Sequence, residues 1–298
     1  MAGAPDSARG PLGIIAGLGE LPVSIAAQCV AEDRPVYILR VKGFEEPGLA
    51  PYPGETVGFG EIGRQVSLLK AAGVRDLVFA GIVKRPDFSA LKLDGRGARL
   101  LPKVLMAARK GDDALLRVLL DAFEQEGFAI ISAEAANARL VVKQGHLAGP
   151  APTDANRADG ARALAAAREI GRLDIGQGCV VCDGLVLAVE AQEGTDAMLA
   201  RIASLPPEIR GTPDARRGVL AKAPKPIQER RVDLPTVGPA TVEGAAAAGL
   251  AGIFLEEGGA LLLDRDRTLA QAAAMGLFIH VVPAAGPVAA ATPSPERT

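Results

Sequence analysis

The feature that most constrains the fold is a regular alternation of strand-like and helix-like segments in the first half of the chain. Apolar runs at Leu12–Ile15 and Val36–Val41 flank a glycine turn and an amphipathic stretch, Val23–Ala31. The alternation continues with predicted helices and strands at Ile62–Ala72, Leu77–Ala80, Leu100–Arg109, Asp112–Gln125 and Phe128–Ile131. Such a pattern predicts a parallel sheet covered by helices, an α/β domain of Rossmann-like type.

The second half predicts another α/β domain. Residues 143–156 interrupt the pattern with Gly, Pro and polar residues and are interpreted as a linker, so we predict domains at 1–147 and 148–282. A long helix follows, and Asp183-Gly184 between two apolar runs is a hairpin signal, which indicates a mixed sheet. The Pro/Ala-rich segment 283–298 is predicted to be disordered.

Composition excludes several function classes. The net charge of −2 and the 3% aromatic content argue against a nucleic-acid partner. Because no apolar run approaches the roughly 20 residues of a membrane span, any membrane contact is expected to be peripheral. The absence of a signal pattern in the first residues and the odd number of cysteines predict a reducing cytoplasm. Cys179 and Cys182 fall in a predicted strand and are interpreted as buried structural thiols.

The glycine turn 16-AGLGELP-22 lies where a dinucleotide-binding fingerprint would lie, between a strand and a helix. Pro22 stands where that fingerprint has its third glycine, which argues against nicotinamide binding. The backbone amides of Gly17 and Gly19 are candidates to bind a phosphate or carboxylate at the helix N-terminus. A plain strand-to-helix turn is the equally supported alternative.

Carboxylates cluster in the stretch 190-EAQEGTDAML-199, between a predicted strand and a helix. One interpretation is a helix start capped by Thr195 or Asp196. The other is that Glu190, Glu193 and Asp196 project from the strand end and hold a hard cation through oxygen ligands. The sequence does not separate the two.

The stretch 219-VLAKAPKPIQERRVDLPTVGPATV-242 combines prolines with many charged groups and predicts a stiff extended loop between a strand and a helix. Basic side chains here suit a diphosphate, and carboxylates could orient a metal or an attacking water; a solvated charged loop is the alternative. The candidates for phosphate contacts are Lys222, Lys225, Gln228, Arg230 and Arg231, and the candidate carboxylates are Glu229 and Asp233.

Five motifs together resemble one enzyme family. They are 15-IAGLGELP-22, 80-AGIVKRPDF-88, 110-KGDDALLR-117, 187-LAVEAQEGTDAML-199 and 222-KAPKPIQERRVDLPTVGPATV-242. Their combination resembles the UDP-2,3-diacylglucosamine pyrophosphatases of lipid A biosynthesis, of the type found in alphaproteobacteria and unrelated to the metallophosphoesterase form. Ile227 and the Gly17-Leu18-Gly19 sequence depart from the common family pattern at two turns.

The resemblance implies an Mg²⁺-dependent homodimer, cytoplasmic and peripherally associated with the inner membrane. Such enzymes cleave the pyrophosphate of UDP-2,3-diacylglucosamine by attack of water on the α phosphorus, giving UMP and 2,3-diacylglucosamine 1-phosphate. The family's essential aspartate aligns with Asp233, which is therefore predicted to be catalytic and a metal ligand. Thr195 joins the predicted substrate-binding residues. The alternative from another class is a non-catalytic nucleotide-sugar or lipid-binding protein.

Overall fold

A computed structural model describes residues 10–225, 232 and 234–284 of the protein. Its first sheet has five parallel strands in the order β3-β2-β1-β4-β5, which confirms the predicted parallel sheet. These strands are β1 Leu12–Ala16, β2 Val36–Val41, β3 Gly54–Val57, β4 Asp76–Ala80 and β5 Ala129–Ile130. Strand β3 was not predicted, because only one of its four residues is fully buried and its apolar pattern is correspondingly weak.

Five α-helices accompany the first sheet: α1 Glu20–Ala31, α2 Ile62–Ala71, α3 Gly95–Ala108, α4 Asp112–Glu124 and α5 Ala133–Ala136. Helices α1 and α5 pack on one face, where Ile25 and Ala133 join the core of β1. Helices α2 and α4 pack on the other face, where Leu69 and Phe123 are buried. The apolar stripes of these four helices therefore have their partners in the sheet, as a doubly covered parallel sheet requires.

The second sheet is mixed and has six strands in the order β6-β13-β11-β9-β7-β8. Strands β9, β11 and β13 are parallel, whereas β6, at one edge, and the β7–β8 hairpin at the other pair in antiparallel fashion. Strands β10 and β12 form a separate two-stranded parallel ribbon. The bounds are β6 Gly145–Ala148, β7 Gly178–Cys182, β8 Leu185–Val189, β9 Val219–Lys222, β10 Thr236–Val237, β11 Gly252–Glu256, β12 Leu261–Leu262 and β13 Phe278–Val282.

Four helices cover the second sheet: α6 Asp154–Arg172, α7 Gly194–Ala203, α8 Pro239–Ala247 and α9 Arg265–Ala274. Helix α6 begins with a reciprocal capping box between Thr153 and Asn156, and packs on one face. The other three pack on the opposite face. Within the described ranges, no helix has both the length and the apolar character needed to cross a bilayer.

The linker interpretation of residues 143–156 is wrong for Gly145–Ala148. These residues form β6, in which His146 lies opposite His280 of β13, so the strand crosses the boundary predicted at 147/148. Its pairing partner is distant in sequence, and the local glycines gave no sign of a strand. The tail predicted to be disordered lies outside the described residues from 285 onward.

Cys179 and Cys182 lie in β7, and both are buried free thiols, as predicted. Burial raises the pKa of each thiol to about 11. A thiol that stays protonated at neutral pH is a poor nucleophile and a poor metal ligand. These cysteines therefore belong to the core.

One of the apolar clusters contains residues from both halves of the chain. Leu234, Leu261 and Leu263, at the ends of the β10–β12 ribbon, are buried together with Leu12 and Ile25 of the first sheet and its helix α1. The ribbon thus packs against the first domain while its chain belongs to the second. The charged motif at 219–242 therefore reaches the junction of the two halves at Leu234.

Candidate active site

The motif at 219–242 leaves the second sheet at the carboxyl end of β9, and its later residues form β10 of the separate ribbon, which leads into α8 with Pro239 at its first position. In open sheets, ligands bind at the carboxyl ends of parallel strands. Residues 223–225 and 234–235 lie outside helices and strands, as predicted, whereas Thr236–Val237 form β10 within the predicted loop and α8 begins at Pro239. Asp233, Gln228 and Arg231, together with Glu229 and Arg230, lie outside the described residues.

A buried chain of polar groups lies at this carboxyl end. The Lys222 ammonium, 3% exposed, donates to the Thr195 hydroxyl at 2.7 Å and to the Thr236 carbonyl at 3.0 Å. The Thr195 hydroxyl in turn donates to Glu190 Oε1 at 2.8 Å. Burying either charge alone would be costly, so the hydroxyl joins a lysine and a carboxylate that stabilise each other. We call Glu190, Thr195 and Lys222 the polar triad.

The second carboxylate oxygen of Glu190, Oε2, accepts no hydrogen bond from the described residues. The residue is 7% exposed, and its Oε2 atom is buried with no hydrogen-bond partner in the described part of the chain. Buried acceptors are nearly always paired, by protein, water or an ion. Glu190 Oε2 is therefore a buried acceptor that no described residue satisfies.

A glycine makes room for this carboxylate. Gly178, the first residue of β7, lies opposite Lys222 in the antiparallel β7–β9 pair, and its carbonyl accepts from the Glu190 N–H at 2.8 Å. A Cβ atom at Gly178 would collide with Glu190 Oε2. Sequence reasoning missed Gly178; the signal was a glycine beginning an otherwise fully apolar strand.

Lys225 is positioned separately from the polar triad. Its ammonium forms an ion pair with Asp174 at 2.8 Å, and the two side chains are 16% and 22% exposed. Asp174 follows the end of α6 in a left-handed conformation, φ 56°. It was not among the predicted residues, because only the tertiary fold brings the end of α6 to this loop.

The side chains of Glu193 and Asp196 are exposed, whereas Glu190 is buried. The Glu193 carboxylate forms an ion pair with Arg201 at 3.0 Å, and Asp196 is exposed in the first turn of α7. In the residues that the structure describes, no three His, Cys, Asp or Glu side chains gather as a metal site. The capping alternative is also wrong: α7 has Glu193 at its N-cap and no side-chain capping bond, and the Thr195 hydroxyl bonds to Glu190 instead.

The glycine turn already uses its backbone amides within the chain. The Gly17 N–H donates to the Ala80 carbonyl at 2.9 Å, and the Gly19 N–H donates to Glu46 Oε2 at 2.8 Å. A Cβ atom at Gly17 would collide with the Ile82 carbonyl, so close backbone packing accounts for that glycine. A carboxylate of the protein itself therefore occupies the helix N-terminus where an anion was predicted.

A cavity of about 620 Å³ opens beside the ribbon, between α1 and the start of α9. Its apolar wall includes Val23, Ala27 and Leu262, and its charged side includes the Arg139–Asp266 ion pair at 2.9 Å. Leu262 lies opposite Val237 in the ribbon, and the neighbouring Thr236 accepts from Lys222. Apolar space and buried charge thus lie on the two sides of one ribbon.

Fold and site together define a protein of two α/β halves with charged side chains buried at the carboxyl end of a parallel strand. Residues 11–140 match the model of the LpxI N-terminal domain, and residues 143–280 match that of the LpxI C-terminal domain. The chain is 56% identical over 268 residues to the UDP-2,3-diacylglucosamine pyrophosphatase LpxI of Caulobacter vibrioides, an alignment that covers 90% of this chain and 96% of that protein. The chain belongs to the LpxI family, which confirms the predicted family.

Proposed function

We propose that this protein hydrolyses the pyrophosphate of UDP-2,3-diacylglucosamine, giving UMP and 2,3-diacylglucosamine 1-phosphate for lipid A biosynthesis. The observation that carries the proposal is the identity of 56% over nearly the whole of a relative named for that substrate. Identity at this level over both domains supports a shared reaction as well as a shared fold. The polar triad and the charged loop support it independently, since a diphosphate needs fixed positive charge around it.

In this proposal, Lys222 is a fixed positive charge at the carboxyl end of β9, and Lys225, three residues further along the chain, is a second cation. Because Thr195 and Thr236 hold the Lys222 ammonium, its charge needs little reorganisation when negative charge develops on the phosphate. Asp233, which aligns with the family's essential aspartate, orients the attacking water. The new bond joins the water oxygen to the α phosphorus, and the bond from that phosphorus to the bridging oxygen breaks, releasing the lipid 1-phosphate.

Among the described residues, Glu190 has a carboxylate oxygen suited to bind an Mg²⁺ ion. Mg²⁺ is commonly held by one or two carboxylates together with substrate phosphates and waters, and Glu190 Oε2 is a buried hard donor with no other described partner. We propose that Glu190 and Asp233 hold the ion, with Glu193 and Asp196 outside its first coordination sphere. When bound, Mg²⁺ would neutralise charge on the diphosphate.

The cavity beside the ribbon suits the acyl chains in this proposal, because its wall of Val23, Ala27 and Leu262 is apolar. A diacylated substrate also supports a cytoplasmic enzyme in peripheral contact with the inner membrane. A homodimer is proposed from the family resemblance alone, and sedimentation of the purified protein would test it.

The deciding experiment is hydrolysis of detergent-dispersed UDP-2,3-diacylglucosamine in ¹⁸O-labelled water, with Mg²⁺ or with EDTA. We expect Mg²⁺-dependent release of UMP carrying the label. Label in the lipid phosphate would place the attack on the other phosphorus, and release in EDTA would refute the metal assignment.

We expect Asp233→Ala to abolish UMP release while the thermal unfolding temperature stays near that of the parent protein. Asp233→Asn serves as the matched variant, since it keeps the size of the side chain but not its charge. If folded wild-type protein binds the substrate but releases no UMP, the non-catalytic binding protein is the better account.

A further inference from the structure

Helix α3 concentrates positive charge on the surface of the first domain. Residues 95–110 contain five Lys or Arg and no Asp or Glu, although the whole chain has a net charge of −2. Four of these basic residues are exposed and take part in no ion pair with any described residue: Arg99, Lys103, Arg109 and Lys110. No described acidic residue therefore neutralises their charge.

The solvent-exposed side of α3 also carries apolar side chains. Met106 is 62% exposed and Leu105 is 42% exposed, whereas Val104 and Ala107 face the core. At 3.6 residues per turn, positions 99, 103 and 106 share one stripe of α3, and Lys110 follows in the turn after the helix, so Met106 lies among the basic residues. Large apolar side chains framed by cations are a surface that suits the boundary between lipid headgroups and acyl chains.

The second domain extends this surface. Gly111, just after α3, lies against Asp174, whose Oδ2 atom would be 2.7 Å from a Cβ at that glycine. The residues on either side of Asp174 are also exposed, Leu173 at 69% and Ile175 at 40%. Since Asp174 pairs with Lys225, the surface adjoins the charged loop of the candidate active site.

We propose that the outer face of α3, together with Leu173 and Ile175, docks the protein on an anionic lipid bilayer. This docking surface rests on the proposed function in one respect, because a diacylated substrate resides in a bilayer. Each lysine or arginine close to an anionic membrane strengthens binding by electrostatic attraction, and the exposed apolar side chains enter the interface. Docking in this orientation would bring the loop that carries Lys225 close to the lipid surface.

The test is binding of the purified protein to vesicles of phosphatidylcholine alone or of phosphatidylcholine mixed with phosphatidylglycerol. One variant combines Arg99→Gln, Lys103→Gln, Arg109→Gln and Lys110→Gln. A control with the same net charge changes four exposed basic residues elsewhere: Arg75→Gln, Lys143→Gln, Arg162→Gln and Arg267→Gln. Circular dichroism verifies that both variants are folded.

We expect the wild-type protein to bind the mixed vesicles and the α3 variant to lose affinity by about ten-fold or more, because each basic residue at the surface contributes roughly a five-fold factor at most. The control is expected to lose less than about three-fold. Met106→Ser should weaken binding to the mixed vesicles further when added to the α3 variant. Salt should weaken the binding of the wild-type protein.

Three results would overturn the docking surface. They are equal binding of wild-type protein to both kinds of vesicle, equal loss of affinity in the α3 variant and the control, and a change of oligomeric state in the α3 variant with vesicle binding retained. The last would assign the face to contact between two copies of the chain. Hydrolysis of detergent-dispersed substrate, measured in parallel, separates this proposal from the proposed function: each can fail while the other stands.

Discussion

Replacing Thr195 with valine tests the polar triad most directly. Valine has nearly the shape of threonine, so the change removes the hydroxyl without opening a large cavity. Two hydrogen bonds to charged groups are lost, at 2.7 Å to the Lys222 ammonium and at 2.8 Å to the Glu190 carboxylate. Each such bond contributes about 1.5–3 kcal/mol, so we expect the free energy of unfolding to fall by about 3 kcal/mol or more.

A loss of about 3 kcal/mol corresponds to a fall of roughly 5 °C in the unfolding temperature of a chain of this size. We also expect kcat/KM for pyrophosphate hydrolysis to fall by about ten-fold or more, because the Lys222 charge loses one of the groups that fix it. Differential scanning calorimetry and UMP release measure the two effects. Thr195→Ser is the matched control; it keeps the hydroxyl and should cost only about 1 kcal/mol.

The proposed role of the Thr195 hydroxyl is refuted if the valine and serine variants have the same unfolding temperature and the same kcat/KM. That result would mean that the hydroxyl contributes nothing to the Lys222 and Glu190 positions. A loss of stability with unchanged kcat/KM would keep the structural role of the triad and remove its role in the reaction.

Three further predictions concern Gly178, His280 and the two cysteines of β7. Gly178→Ala should lower the free energy of unfolding by about 1–3 kcal/mol, because the new Cβ meets the buried carboxylate of Glu190; chemical denaturation measures this. Burial lowers the pKa of His280 below 6.5, so the unfolded state binds the proton more readily and stability is lost as pH falls through 6.5. His280→Asn should remove that part of the pH dependence, and an unchanged slope would contradict it. Cys179 and Cys182, with a pKa of about 11, should resist alkylation at pH 8 until the protein is denatured, as mass spectrometry would reveal.

Sequence reasoning identified the first domain well because its signals are local. Each strand and helix of a parallel α/β sheet is a continuous apolar run or a helical stripe, and predicted strands such as Val36–Val41 matched the structure. The Asp183-Gly184 hairpin was equally local, since a two-residue turn with positive φ favours that pair. The family motifs likewise needed no geometry.

Strand β6 was missed for the opposite reason. Gly145–Ala148 has no apolar alternation, and it becomes a strand only because β13 offers its edge for pairing. Sequence spacing also could not distinguish the Glu193 and Asp196 carboxylates from that of Glu190. Their different surroundings follow from the sheet and from α7, and not from their order in the chain.

The sequence by itself determined the fold class, the family and the type of chemistry, because periodicity and charged motifs are written along the chain. Only the tertiary structure decided which charges meet. It placed Thr195 between Glu190 and Lys222, left Glu190 Oε2 buried with no described partner, and brought Asp174 from the end of α6 to Lys225. The physical reason is that a buried charge is stabilised by its neighbours in space, and the crossings of a sheet bring distant segments of the chain together.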